Sequence, residues 1–200
     1  FYDPHWHYAP PPEVLKIFES SYAGKLTGNL KDFQNLRPDQ VSPADLDHLL
    51  ALYDGEIRYT DNQIGRLRAH LKERGLLDRT LMVVTSDHGE EFLEHGSWEH
   101  QKTLYEEVIR VPLIVSGPGV GPRRESESVS LLDVAPTILD FLSLKPAASM
   151  KGLSLFRPAP DHRETYGETD NTLDGSRLSF LRHGAASWKA ILRIDPLSQT

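Results

Sequence analysis

Cysteine is absent from the 200-residue sequence. That excludes disulfides, thiolate zinc sites and cysteine nucleophiles within it, and it leaves the redox compartment open. Long apolar runs are also absent, and none approaches the ~20 residues that cross a bilayer. No basic n-region followed by an apolar h-region opens the chain, so no signal peptide is visible. Positive charge is scarce: 22 Lys and Arg face 29 Asp and Glu, for a net charge of −7. Nonspecific nucleic-acid binding needs cations to replace the counterions of the phosphates, so this balance argues against it. It leaves a small anionic substrate open, because a metal and a few cations make a positive pocket on an acidic protein. Internal repeats and low-complexity linkers are absent too.

What is present suits a globular protein of one to two domains, soluble in either a cytoplasmic or an extracytoplasmic setting. Hydrophobic residues make up 38% of the chain and charged residues 26%. The opening YDPHWHYAPPPE reads as a strand end passing into a loop. Residues 13–41 are mixed, with a short helix expected at Val14 to Ser21. Ser42 can cap a helix, with Pro43 in its first turn and Asp45 following. Apolar residues then recur at Leu46, Leu49, Leu50, Tyr53, Ile57, Ile64, Leu67 and Leu71, a helical period that Gly75 ends. Asp61 falls on the apolar side and reads as a carboxylate hydrogen-bonded at the core edge.

Leu81 to Val84 reads as a buried strand that delivers Asp87 and His88 to its C-terminal edge, where Gly89 turns the backbone. A polar loop covers residues 89–102, and a short helix is expected at Thr103 to Val108. Val111 to Gly117 reads as a second buried strand. Leu131 to Leu144 reads as a helix interrupted by Pro136. GLSLF, residues 152–156, is a strand or turn. Residues 157–175 are turn-rich with a strand near Thr165 to Glu168, and SWKAILRID reads as a late strand. The strand–helix alternation implies an α/β fold with a mainly parallel central sheet flanked by helices.

Three clusters could carry chemistry. Ligands collect beyond the carboxyl ends of strands in open α/β sheets. Asp87 and His88 there offer a hard oxygen and an imidazole nitrogen to one divalent cation. The same dipeptide also suits a turn-capping Asp beside a surface His. His5 and His7 could contact a bound anion or protonate a leaving group, or be hydrogen-bonded members of an aromatic loop. EHGSWEHQK places His95, His100 and Lys102 in one loop. There His100 or Lys102 could meet the charged end of an ester, or the loop's charges could simply balance Glu94 and Glu99. The spacing of His95 and His100 is wrong for a helical H-E-x-x-H zinc site. SGPGVGP lacks the Gly-Lys-Ser/Thr ending of a phosphate loop and reads as a turn.

An ordered series of segments resembles the sulfatase family of the alkaline-phosphatase-like superfamily. It runs YDPH, ALYDGEIRYTDNQIGRL, LLDRTLMVVTSDHGEEF, TLYEEVIRVPLIVSGPG, SLLDVAPTILDFL and KGLSLF, and it is firmest from Leu50 to Leu155. The resemblance implies an alkaline-phosphatase-like fold, with residues 1–156 a portion of the α/β domain and 157–200 the start of a C-terminal subregion with late strands. It implies that Asp87 and His88 are the family's second pair of metal ligands, for calcium foremost, with magnesium, manganese or zinc as alternatives. It implies catalytic roles for His5 and His100, with His5, His100 and Lys102 binding the substrate. Glu99 and Gln101 replace the commoner Gly-His-Gly surround of the position matched by His100, with Lys102 as substitute.

The family's nucleophile is a formylglycine made in a C/S-x-P-x-R motif, and its first metal-ligand Asp pair lies there too. This sequence has no cysteine and no Ser-x-Pro-x-Arg. A middle-to-C-terminal portion, incomplete at the N-terminus and at the C-terminus, is therefore expected. The implied activity is hydrolysis of a small anionic sulfate ester, with no nucleic acid, no membrane span and the oligomeric state open. A phosphate or phosphonate ester hydrolase or phosphoethanolamine-type transferase on the same fold is the alternative. A degenerate, non-enzymatic domain is the third reading.

Overall fold

A computed structural model describes all residues except 6, 20, 159, 161–162, 171–175, 184–188 and 195–200. The chain divides into two compact units, Phe1–Leu77 with Glu91–Trp98, and Asp78–Glu90 with Glu99–Thr200. Among the described residues no helix is long and apolar enough to cross a membrane.

The first unit is built on a helix of 31 residues. Helix α1 spans Pro12–Leu15 and α2 spans Leu30–Asn35, and α3 follows as Pro43–Glu73. Ser42 and Asp45 close a reciprocal capping box at the start of α3, as the sequence predicts. Leu49 and Leu52 of α3 enter a core with Tyr8, Phe33, Phe92 and Trp98. Tyr8 meets Phe33 at 5.6 Å and Tyr53 at 5.4 Å between ring centroids, both edge-on, the arrangement that ring quadrupoles favour. The apolar stripe outruns its cover, since Ile57 and Leu67 are exposed. Asp61 is not at a core edge: its side chain is 71% exposed and sits 3.8 Å from Arg58. Among the described residues no strand forms in the opening segment; α2 was not foreseen, because its amphipathic signal covers less than two turns.

The expected loop at 89–102 contains two short strands, β1 (Glu91–Phe92) and β2 (Trp98–Glu99), which pair. Phe92 and Trp98 pack edge-on in the first unit's core. Glu91 is buried and accepts the Ser97 N–H at 2.9 Å and the His95 N–H at 3.3 Å. A carboxylate that collects backbone donors can be buried in a loop that reads as solvated.

In the second unit, β3 (Met82–Thr85) pairs antiparallel with β4 (Leu113–Ser116), with Met82 opposite Ser116 and Thr85 opposite Leu113. Strands β5 (Glu164–Asp170), β6 (Arg177–His183) and β7 (Lys189–Ile194) form an antiparallel meander. The mainly parallel sheet expected from the sequence is therefore not seen among the described residues. Parallel neighbours need a crossover of a dozen or more residues, usually a helix, and the only helix between β3 and β4 is the four-residue α4, Glu106–Ile109. β3 and β4 are half-buried rather than sealed on both faces, with Ile114 59% exposed. In SWKAILRID, residues 187–188 and 195 lie outside the described residues.

Pro136 does not interrupt its helix. A 3₁₀ turn at Leu131–Asp133 leads into α5, Val134–Phe141. Pro136 thus sits in the first turn, where a missing N–H removes no intrahelical bond. Asp133, fully buried, accepts the N–H groups of Ser130 and Leu153 at 2.8 Å each and the Arg163 guanidinium at 2.6 Å. Thr137 accepts the Leu155 N–H at 2.9 Å. These bonds fasten the irregular GLSLF segment to α5, and Gly152 lies so close to Leu132 that a Cβ would fall 1.9 Å from its carbonyl oxygen.

Two outcomes follow from these buried carboxylates. Asp133→Ala leaves the Arg163 cation and two N–H groups without their acceptor, so urea unfolding should show a loss of about 3 kcal/mol. Glu56, buried on α3, accepts the Ala9 N–H at 2.7 Å, and burial pushes its carboxyl above the usual value. An acid raised in the folded state binds more protons there than in the unfolded chain, so its contribution falls as pH rises from the unfolded value through the folded one. Glu56→Gln keeps an acceptor and removes that loss. Its stability relative to wild type should rise across this window and level off above it, and a flat difference would contradict the assignment.

Candidate metal and anion site

The second unit brings Asp87, His88 and His100 together at the end of β3. Thr85 ends the strand, and its hydroxyl donates to the Pro112 carbonyl at 2.8 Å. Ser86 donates to the His88 carbonyl at 2.6 Å, which curls the chain into a corner. The Gly89 N–H donates to the Val108 carbonyl at 2.7 Å. A Cβ on Gly89 would stand 2.0 Å from the Glu107 carbonyl oxygen. Gly89 is absent from the positive-φ residues. The residue expected to turn the backbone is thus needed for close approach instead.

The corner aims two donors at one point. Asp87 Oδ2 and His88 Nε2 lie 3.8 Å apart, a separation that two ligands each about 2.4 Å from a common cation span at somewhat more than a right angle. His88 Nδ1 meets the Gly89 carbonyl at 2.8 Å. A carbonyl only accepts, so Nδ1 carries a proton, and Nε2 is the nitrogen that a metal would meet. The Asp87 side chain is 88% exposed. Burial raises its pKa, but His88 and the hydrogen bonds from its own and the His88 N–H groups and from Ser86 outweigh that and hold it below the usual range. A carboxylate oxygen beside an imidazole nitrogen is a donor set that fits a divalent cation.

His100 stacks on His88, with centroids 3.8 Å apart and planes at 27°. Its Nδ1 lies 3.1 Å from Glu90 Oε1, and Glu90 is buried. The hydrogen bond to Glu90 raises the His100 pKa, burial opposes the rise, and the charges of Glu90, Glu99 and Asp87 reinforce it. Glu99 and Gln101, which flank His100, both adopt φ of 68°. Glycine takes that conformation freely, whereas other residues lose about 1 kcal/mol each. This chain holds two longer residues in that backbone.

Lys102 is turned to Glu99, Nζ to Oε2 at 3.0 Å. Asp87, His88 and His100 line one open trough of about 1960 Å³, larger than the roughly 300–1,000 Å³ of an enclosed ligand pocket. Glu90 carries no signal in the sequence beyond being one of two adjacent glutamates, and it was missed.

His5 belongs to the first unit. Its N–H donates to the Tyr2 carbonyl at 3.1 Å, and its ring stacks on Tyr2 at 4.7 Å. His7 has a structural partner: its Nδ1 accepts the Leu30 N–H at the start of α2 at 3.0 Å.

The fold is similar to that of solved hydrolases of alkaline-phosphatase-like fold. The family model "Sulfatase" matches residues 1–144, and the chain belongs to the sulfatase family. Among curated relatives, arylsulfatase K of Bos taurus is 32% identical over 156 residues, covering 76% of this chain and 26% of that protein. N-acetylglucosamine-6-O-sulfatase of Bacteroides thetaiotaomicron is 33% identical over 147 residues, covering 72% and 26%. The chain thus spans about a quarter of the length of these relatives. Among solved structures, a phosphonate monoester hydrolase from Silicibacter pomeroyi superposes with a TM-score of 0.65 at 26% identity, covering 96% of this chain and 44% of that one.

Gly89→Ala tests how the corner is built. The new methyl group has no room against Glu107, so the variant should lose on the order of 2 kcal/mol and shift the amide resonances of Asp87 and His88. An unperturbed variant would contradict the close approach.

Proposed function

We propose that the protein of which this chain is part is a metal-dependent sulfuric ester hydrolase. The observation that carries the reading is the 3.8 Å pair of Asp87 Oδ2 and His88 Nε2, with His88 Nδ1 committed to Gly89. In this reading Asp87 and His88 hold one divalent cation, calcium foremost. When bound, the cation stabilises negative charge on the oxygens of the transferring group. His100, whose pKa is raised by Glu90, offers a cationic N–H to those oxygens, and Lys102 adds a second positive contact. His5 protonates the leaving alcohol. The substrate is a small anionic ester. Residues 1–156 belong to the catalytic α/β domain and 157–200 open a C-terminal subregion.

The sulfatase names of the curated relatives favour a sulfate ester. The phosphonate monoester hydrolase match, over 96% of this chain, favours a second reading in which a phosphonate or phosphate ester is cleaved on the same ligands. Sulfate and phosphate share tetrahedral shape and differ in charge.

The test is hydrolysis of an aryl sulfate and of an aryl phosphonate by the whole protein loaded with calcium or manganese. The sulfate should turn over faster. Asp87→Asn should lower kcat/KM roughly 10²- to 10³-fold, the cost of one lost charge-stabilising group. Wild-type turnover in that variant would overturn the assignment, and faster phosphonate cleavage would select the second reading. The 200-residue chain alone holds no cysteine and no Ser-x-Pro-x-Arg and should be inactive with weak metal binding.

A further inference from the structure

We propose that Glu106 is a positioning residue that ties the candidate cation corner to the β5–β7 meander and so helps that corner keep its shape. The inference rests on the reading above only for what the corner binds. It starts from a conflict within the sheet. Arg182 of β6 and Lys189 of β7 stand directly opposite each other in the ladder. Like charges at such a pair repel and destabilise it. Glu106 meets both, with Oε1 2.9 Å from Lys189 Nζ and Oε2 3.4 Å from Arg182 Nη1. One carboxylate from outside the sheet thus answers two cations within it. Burial raises the Glu106 pKa, but the hydrogen bond and charge of Lys189 and the charges of Arg182 and Arg110 outweigh that and hold it below the usual range.

The same contact places α4. This helix has four residues, Glu106–Ile109, and Tyr105 at its N-cap gives it no side-chain cap. Isolated helices shorter than about 12 residues are marginal in water, so the position of this single turn is set from outside. Lys189 sets it at two points, because Nζ also donates to the Leu104 carbonyl at 2.8 Å. Its side chain is only 14% exposed. The anchor therefore grips the chain on both sides of Tyr105. Further along the turn, the buried Val108 presents the carbonyl that accepts the Gly89 N–H at 2.7 Å. The Glu107 carbonyl stands where a Gly89 side chain would be. Gly89 in turn offers its own carbonyl to His88 Nδ1 at 2.8 Å. A series of direct contacts thus runs from the meander, through one helical turn, to the imidazole of the corner. Glu106 is a support in that series and not a ligand. Packed, hydrogen-bonded series of this kind carry coupling between sites.

Hydrogen exchange in the whole protein, free of metal and read by mass spectrometry at the Gly89 amide, tests the tie. Wild type should protect that amide far better than the exposed amides of residues 123–127. Glu106→Gln leaves Lys189 and Arg182 facing each other with no negative charge between them. It should speed exchange at Gly89 about tenfold and leave the β3–β4 ladder at its wild-type rate. A double-mutant cycle separates positioning from a general loss of stability. With Arg182→Met and Lys189→Met already in place, Glu106→Gln should change the Gly89 rate less than about twofold, because the group has lost what it acts on. A Gly89 amide that exchanges as fast as the exposed loop in wild type overturns the proposal without any variant having to fold. So does an unchanged rate in Glu106→Gln, or a full tenfold effect in the double-Met background. Manganese titration of the same proteins reads the corner itself, and Glu106→Gln should bind about 3- to 10-fold more weakly than wild type. Equal affinity refutes the positioning role. A wild type that binds no manganese while its Gly89 amide responds as described refutes the cation reading of the corner and leaves the tie standing.

Discussion

The second unit depends on how closely one stretch of backbone passes another. Gly89 hydrogen-bonds Val108 at 2.7 Å and leaves no space for a side-chain carbon above Glu107. That contact pins the turn after β3 to the chain just before β4. With the turn pinned, Ser86 can close on the His88 carbonyl and His88 can close on the Gly89 carbonyl. The Asp87 carboxylate and the His88 imidazole then lie 3.8 Å apart at the end of β3. Side-chain chemistry at this corner is a consequence of main-chain packing.

A second layer of buried acceptors steadies what surrounds the corner. Glu90 holds His100, and Asp133 gathers Ser130, Leu153 and Arg163. Each carboxylate is buried with donors arranged around it, so removing it would expose several unsatisfied groups at once. Such networks cost desolvation to build and repay it by fixing geometry. In this unit they hold irregular segments, the 100–102 turn and the 152–157 stretch, which no helix or sheet ladder would otherwise order.

The sequence made part of this legible. Ser42, Pro43 and Asp45 announce α3 because capping chemistry is local. Leu81 to Val84 and Val111 to Gly117 announce β3 and β4 to within two residues at each end, because an apolar run bounded by polar and Gly-Pro segments has few other uses. The pairing direction was not legible, since it depends on how the chain returns between the strands. Pro136 misled, because its effect depends on where the helix begins. Asp61 misled because the helical stripe continues past the part that is covered. Of the site, the Asp87 and His88 pair could be read from its place at a strand end. Glu90 could not, since a buried glutamate and a solvated one look alike until the donors around them are known.

The central claim is that one divalent cation sits between Asp87 and His88. Diffraction data from crystals soaked in manganese, collected for anomalous scattering, test it most directly. The account predicts a peak at coordination distance from both Asp87 Oδ2 and His88 Nε2, and absent in Asp87→Asn crystals. A peak that ignores both residues, or one that persists in that variant, would contradict it.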